Sequence, residues 1–140
     1  MNAKVFVDTN VLVYAHDKKE VYKQEAAKRI LRDLGQKRSG AVSMQVLQEF
    51  YNTVTRKLTH PLSKEEARAI VEDFAYWCIV TTPEEIQRAF RIEDEARIGF
   101  WDALIVAAAI KSGATRILSE DLNHGQSIAG VRIENPFATP

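Results

Sequence analysis

Hydrophobic and polar positions fall into blocks whose period changes along the chain. Lys4 to Val7 is a short β-branched and aromatic run, bounded like a buried parallel strand, and it ends abruptly in Asp8-Thr9-Asn10. Over residues 20–35, Ala26, Ile30 and Leu34 recur at four-residue spacing and predict a helix with Gly35 as its stop. Ala41 to Ser43 reads as a short strand. Gln45 to Leu58 predicts a helix carrying Val46, Phe50, Val54 and Leu58 on one stripe. Ser63-Lys64-Glu65-Glu66 has the capping-box pattern and opens a helix to about Tyr76. Cys78 to Thr81 reads as a strand, and Pro83-Glu84-Glu85 starts a helix reaching about Arg97. Phe100 to Lys111 reads as an Ala-rich buried helix stopped near Gly113, followed by short strands at Arg116 to Ser119 and Val131 to Ile133. Strands interleaved with helices predict an α/β, three-layer fold: a central, mainly parallel sheet flanked by helices. The chain shows no repeat, low-complexity stretch or linker, and 140 residues fit a single domain over 1–140.

Composition narrows the class. Hydrophobic content of 46% and charged content of 27% are those of an ordinary globular chain. The lone cysteine, Cys78, lies in the apolar run Trp77-Cys78-Ile79-Val80 and is expected to be a buried structural thiol. The apolar start before Asp8 is too short for a signal peptide, and Ala103 to Ile110 is too short to span a bilayer. The expectation is a cytoplasmic protein without membrane association. Formal net charge is +0, but its distribution is uneven: residues 1–40 hold nine Lys/Arg against five Asp/Glu, and residues 61–100 hold five against nine. The basic part includes Lys18, Lys19, Lys23, Lys28, Arg29, Arg32, Lys37 and Arg38. It reads either as a solvated helix face or as a rim suited to a phosphate backbone.

Chemistry enters through four acids. Asp8 ends the first strand, at the sheet edge where α/β folds bind ligands, and is either a helix cap or a desolvated carboxylate that needs a positive partner. Glu49 lies beside Phe50 and borders the apolar stripe of its helix. Asp102 follows Phe100 and Trp101 in the first turn of the Ala-rich helix, on the face that Ile105, Val106 and Ala109 continue. Asp121 follows the strand Ile117-Leu118-Ser119 and repeats the strand-end placement of Asp8. All four are expected to escape free solvation. If they converge, they repel one another and either share protons or hold a cation. Oxygen-only ligation selects a hard ion, Mg²⁺ or Mn²⁺, and such a site suits metal-assisted phosphodiester hydrolysis. Thr9, Asn10, Ser119 and Asn123 are placed to orient the carboxylates through hydrogen bonds. Phe6, Phe50 and Trp101 are read as core aromatics rather than base-stacking platforms. His16, His60 and His124 fall outside these segments or at their edges, and none is assigned a catalytic role.

Four ordered signatures are similar to those of PIN-domain ribonucleases of the kind that serve as the VapC toxin of VapBC toxin–antitoxin pairs. They are Phe6-Val7-Asp8-Thr9-Asn10; Ser43 through Tyr51, containing Glu49; Trp101-Asp102-Ala103-Leu104-Ile105; and Leu118-Ser119-Glu120-Asp121-Leu122-Asn123-His124-Gly125. The resemblance spans nearly the whole chain. It implies an acidic Mg²⁺ site, single-strand-specific RNA cleavage, an antitoxin partner that blocks the site, and homodimers. Asp8, Glu49 and Asp102 match the three core acidic positions and Asp121 the fourth. Many relatives carry a further acid two residues beyond the fourth, where this chain has Asn123. A second metal would then depend on Glu120 turning inward. The basic N-terminal helix would serve RNA or the antitoxin.

Two other chemistries fit poorly. A haloacid-dehalogenase-type phosphatase needs a second Asp two residues after the first, where Asn10 stands. A receiver domain needs an early acidic pair and a later Lys after a strand, and neither is evident. The alternative kept open is a non-catalytic PIN-like module that binds RNA or a protein.

Overall fold

The computed structural model describes residues 3–138. The opening run forms β1 (Lys4–Val7), with Phe6 and Val7 fully buried. The chain turns at Asp8 into α1 (Thr9–Tyr14) and continues through α2 (Val21–Lys37) to β2 (Gly40–Ala41). Then follow α3 (Met44–Arg56), α4 (Lys64–Phe74) with a 3₁₀ turn over Ala75–Trp77, α5 (Pro83–Ala96) and α6 (Phe100–Ser112). β3 (Ala114–Leu118), β4 (Ser127–Ile128) and β5 (Val131–Glu134) complete the sheet.

The strand order is β2-β1-β3-β5-β4, parallel except for the antiparallel edge pair β4/β5. β1 therefore has β2 on one side and β3 on the other, with helical crossovers leading each way. That topological switch opens a crevice beyond the carboxyl end of β1. Register carries the point further. Val7 pairs with Leu118, so the next residues, Asp8 and Ser119, leave the sheet side by side. The α/β class and mainly parallel sheet are as expected from the sequence.

Local chemistry explains most element ends. Ser63 and Thr82 both close capping boxes, with Glu66 and Glu85. Gly113, at φ +80°, ends α6 in the left-handed region that costs glycine little. Small side chains along α6, including the fully buried Ala103, Ala107 and Ala109, let it lie close against the sheet and α5.

Several expectations need correction. α2 passes through Gly35 and stops at Arg38, whose φ of 53° lets the Ser39 N–H reach the Leu34 carbonyl at 3.1 Å. The strand expected at Cys78 to Thr81 shrinks to one parallel bridge between Val42 and Cys78. β2 is two residues long before Ser43 turns the chain into α3, so little edge remains to pair with, and Val80 is left 78% exposed. The strand expected at Val131 to Ile133 is β5, but its hairpin partner β4 and the bounds of the short α1 are not foreseen in the sequence. Cys78 is half-buried rather than fully buried, and burial pushes its thiol up. No helix of the described residues is long and apolar enough to cross a membrane.

Candidate active site

Asp8 is the focus of the site. Its side chain is buried at 6% exposure, and its carboxylate accepts three hydrogen bonds. The Thr9 N–H donates to Oδ1 at 2.8 Å, the Ser119 hydroxyl to Oδ2 at 2.7 Å, and the Asn10 amide to Oδ2 at 3.4 Å. Asp8 is also the N-cap of α1. The cap and the buried carboxylate are thus one residue; Thr9 and Asn10 lie inside the helix rather than capping it.

Asn10 joins the two strand-end loops. Its Nδ2 also donates to Asp121 Oδ2 at 3.2 Å and approaches Ser119 Oγ at 3.4 Å, while its Oδ1 accepts from the Glu120 N–H at 3.0 Å. Ser119, fully buried, further accepts from the Asp121 and Leu122 N–H groups. One neutral amide and one hydroxyl therefore stand between Asp8 and Asp121.

From the facing helix, Glu49 Oε2 accepts from the Thr9 hydroxyl at 3.2 Å. Gln45, one turn earlier, spans Glu49 Oε1 at 3.1 Å and the Trp101 carbonyl at 3.4 Å, tying α3 to the start of α6. Asp102 follows in that first turn, half-buried. A cleft of about 330 Å³ is lined by Thr9, Asn10, Tyr14, Glu49 and Asp121.

The electrostatics are those of negative charge without a counterion. Among the described residues, no Lys, Arg or His forms a salt bridge with Asp8, Glu49, Asp102 or Asp121. Burial pushes the Asp8 carboxyl up to about 6; the Ser119 and Thr9 hydrogen bonds oppose that, and the charges of Asp121 and Glu49 add to it. Asp102 is likewise raised, first by burial and then by Asp121 and Glu49. Asp8 and Asp102 thus each feel the charges of Asp121 and Glu49. The all-oxygen donor set and the missing counterion fit a hard divalent cation. Direct ligation is another matter: among the described residues, no three Asp, Glu, His or Cys side chains are close enough to hold one ion. An ion here would keep part of its water shell, as Mg²⁺ commonly does.

Not all expectations survive. Glu49 and Asp121 are exposed, so only Asp8 is buried and Asp102 half-buried. Glu49 sits at the edge of its stripe with its carboxylate in the cleft, where periodicity could not place it. Asn123 is exposed and its side chain makes no hydrogen bond among the described residues, so it does not join the network formed by Thr9, Asn10 and Ser119. Glu120 turns away from the acids. Lys23 Nζ and the Tyr14 hydroxyl both bind it at 2.6 Å. Burial works to raise the Glu120 carboxyl, but those two hydrogen bonds outweigh it and hold it below its ordinary value. Phe6 and Phe50 are core, but Trp101 is 66% exposed. His16 packs edge-on against Phe50, and His124 Nδ1 accepts the Asn135 N–H, so neither faces the acids as a base.

The sequence reading gave no role to Gln45 or Tyr14, and placed Lys23 in the basic stretch without its Glu120 partner. Gln45 had a usable signal, its position four residues before Glu49. Tyr14 and Lys23 had none, since their partner lies about a hundred residues away.

Comparison with known proteins agrees with this architecture. The PIN-domain family model matches residues 5–126. Among solved structures, the fold is similar to that of a toxin–antitoxin complex from Klebsiella pneumoniae, at 16% identity over 98% of this chain and 100% of that chain, with a TM-score of 0.68. DNA-bound VapBC from Salmonella typhimurium is 21% identical over 96% and 99%, also with a TM-score of 0.68. VapC20 of Mycobacterium tuberculosis, a sarcin-ricin loop cleaving toxin, is 20% identical over 84% and 90%, with a TM-score of 0.60. At such identities these likenesses speak for the fold. No curated protein matches the sequence. By the family match over most of its length, and by a mainly parallel sheet that agrees with it, the chain belongs to the PIN-domain family.

Proposed function

We propose that this protein is a metal-dependent endoribonuclease, a single PIN domain acting in the cytoplasm as the toxin of a toxin–antitoxin pair. The observation that carries the reading is Asp8: a carboxylate buried at a switch-point strand end, raised toward neutral pH by burial and by the charges of Asp121 and Glu49, with no Lys, Arg or His among the described residues paired to it. Burying that charge is costly unless the site holds a positive ion when it works.

Asp8, Asp102 and Asp121 would supply oxygen donors to Mg²⁺ or Mn²⁺, directly or through water. Glu49 would add a fourth donor or accept the proton of the attacking water. When bound, the ion supplies charge neutralisation at the phosphate and a more acidic water. Ser119 and Asn10 hold the Asp8 carboxylate in one orientation, and Thr9 does the same for Glu49. Water adds to phosphorus, the bond to the leaving ribose oxygen breaks, and that oxygen takes a proton. With Asn123 exposed and Glu120 committed to Lys23, one metal is the better-supported count.

The toxin role draws on the fold's similarity to proteins described as toxin–antitoxin complexes. It includes a protein antitoxin that covers the acidic cleft, and a homodimer. A second reading, a non-catalytic module that binds RNA or protein, draws on the spacing of the acids, which are not gathered into a direct three-ligand set. Incubation with single-stranded and structured RNA, with Mg²⁺ and with EDTA, separates the two. Cleavage that requires Mg²⁺ supports the enzyme; RNA binding with no cleavage under any metal supports the module. A small adjacent reading frame encoding a DNA-binding protein would support the toxin role over a housekeeping nuclease.

A further inference from the structure

Trp101 stands where a core residue was expected, and nothing in its packing explains its exposure. It occupies the first turn of α6, immediately before Asp102, with 66% of its surface open. Its ring is not loose. Phe100 meets it edge-on at 5.4 Å between centroids, and Phe90 backs Phe100 at 5.7 Å. Its carbonyl accepts from Gln45, the same amide that holds Glu49. The Trp101 backbone is thus tied to Glu49 through the Gln45 amide and to Asp102 through one peptide bond, while the ring rests on Phe100.

A second cleft begins there. It has a volume of about 420 Å³ and is lined by Trp101, Met44, Gln45, Gln48, Pro83 and Ile86, among others. That volume falls in the range of small-molecule sites. Its walls combine one exposed aromatic side chain and apolar side chains with two primary amides: Gln48 can donate and accept, whereas Gln45, its N–H groups engaged by Glu49 and the Trp101 carbonyl, can only accept; Ser43, Thr81, Thr82 and Glu85 add polar groups to the lining. A face to stack on and amides to read an edge is the pairing by which proteins hold unpaired bases. A protein interface would use the apolar surface but has no need of both amides beside it.

We infer that Trp101 and the cleft beside it form a base subsite: an unpaired nucleobase next to the cleaved phosphate stacks on the indole, with its edge toward Gln45 and Gln48. The inference rests on the nuclease reading and adds to it the substrate feature recognised, a splayed-out base. Duplex RNA cannot present one without unstacking, so the subsite selects single strands and loops.

The test uses indole fluorescence, in which the Trp101 variants leave only the emission of Trp77. The full chain carrying Asp8→Asn, which slows cutting, is titrated with a short single-stranded RNA and with its duplex. Trp101→Phe and Trp101→Ala are titrated alongside. The expected result is quenched indole emission with the single strand alone, absent in both Trp101 variants, and single-strand affinity weaker by about tenfold or more in Trp101→Ala. With Asp8 restored, Trp101→Ala should raise KM while Mg²⁺-dependent cleavage persists. Because the side chain is exposed, both variants are expected to keep the wild-type melting temperature, which is measured as a control. Unchanged RNA affinity and KM in Trp101→Ala would overturn the inference while leaving the nuclease reading intact. Loss of a dimer in that variant, with RNA affinity unchanged, would overturn it in favour of a protein contact. Absence of any RNA cleavage by wild type would instead count against the nuclease reading.

Discussion

The Ser119 hydroxyl donates to Asp8 Oδ2 at 2.7 Å, and this bond follows directly from β1 and β3 ending in register. Ser119 serves more than Asp8, since its oxygen also accepts the Asp121 and Leu122 N–H groups. Ser119→Ala would leave those donors, the buried Leu122 N–H above all, and the Asp8 carboxylate without their partner at a fully buried position. The expected cost is roughly 1–3 kcal/mol of stability, measured by urea unfolding. A loss below about 0.5 kcal/mol would mean that the loop rearranges without it.

Asp8 also makes stability depend on pH. Its carboxyl is raised in the fold from the ordinary 3.8 to about 6. The folded state therefore binds the proton more tightly than the unfolded state, so this contribution is fully present below about pH 4 and is lost as pH rises through about 6. The size is on the order of 3 kcal/mol in metal-free protein. Asp8→Asn removes the titration. Relative to wild type without metal, it should gain stability as pH rises from about 4 to about 6 and keep that gain at higher pH, read from melting curves in EDTA. Parallel pH profiles for the two proteins would contradict a strained Asp8 carboxylate.

Glu120 and Asp121 are neighbours with opposite assignments. Glu120 is bound to Lys23 and Tyr14, whereas Asp121 faces Asn10 and the cleft. Glu120→Gln should leave RNA cleavage within a few-fold of wild type and lower stability by about 1 kcal/mol, as a partly buried pair is broken. Asp121→Asn should reduce cleavage by roughly 10–100-fold or more, the range for disturbing a metal site's supports. Cleavage rates of the two variants side by side decide this. A reversed order would move the fourth acid to Glu120.

Gly40 lies against Trp77 with no room to spare. A Cβ at Gly40 would come within 2.3 Å of the indole ring, deep under the β2 edge. Gly40→Ala is expected to destabilise the fold by about 1–3 kcal/mol through overpacking, measured by denaturant midpoint. Wild-type stability in this variant would show that Trp77 can move aside freely.

Much of this architecture was legible because local signals agreed with it. Lys4 to Val7, the capping box at Ser63, Pro83 opening α5, and Gly113 each carry their structure in a few adjacent residues. What failed was set by distant partners. The Cys78 segment has strand composition, but it bridges only at Val42 because β2 is too short to extend it. Glu49 and Trp101 sit at helix positions whose exposure is decided by where neighbouring helices stop covering them. Lys23 meets Glu120 only because α2 packs beside the loop after β3. Among the site residues, Asp8's own segment left a helix cap and a desolvated carboxylate equally open, since Asp, Thr and Asn all cap helices. Asp102 and Asp121 gained meaning only with Asp8 in view.

The central claim is that these acids act together as a metal site that cuts RNA. Its most direct test is single-turnover cleavage of a short single-stranded RNA by protein stripped of metal and then restored with Mg²⁺. Wild type, Asp8→Asn and Asp102→Asn are compared in the same run. The account predicts no cutting before Mg²⁺ is restored, cutting by wild type afterwards, and a loss on the order of 100-fold or more in both variants. Cleavage that persists in EDTA, or in both variants at the wild-type rate, would contradict it.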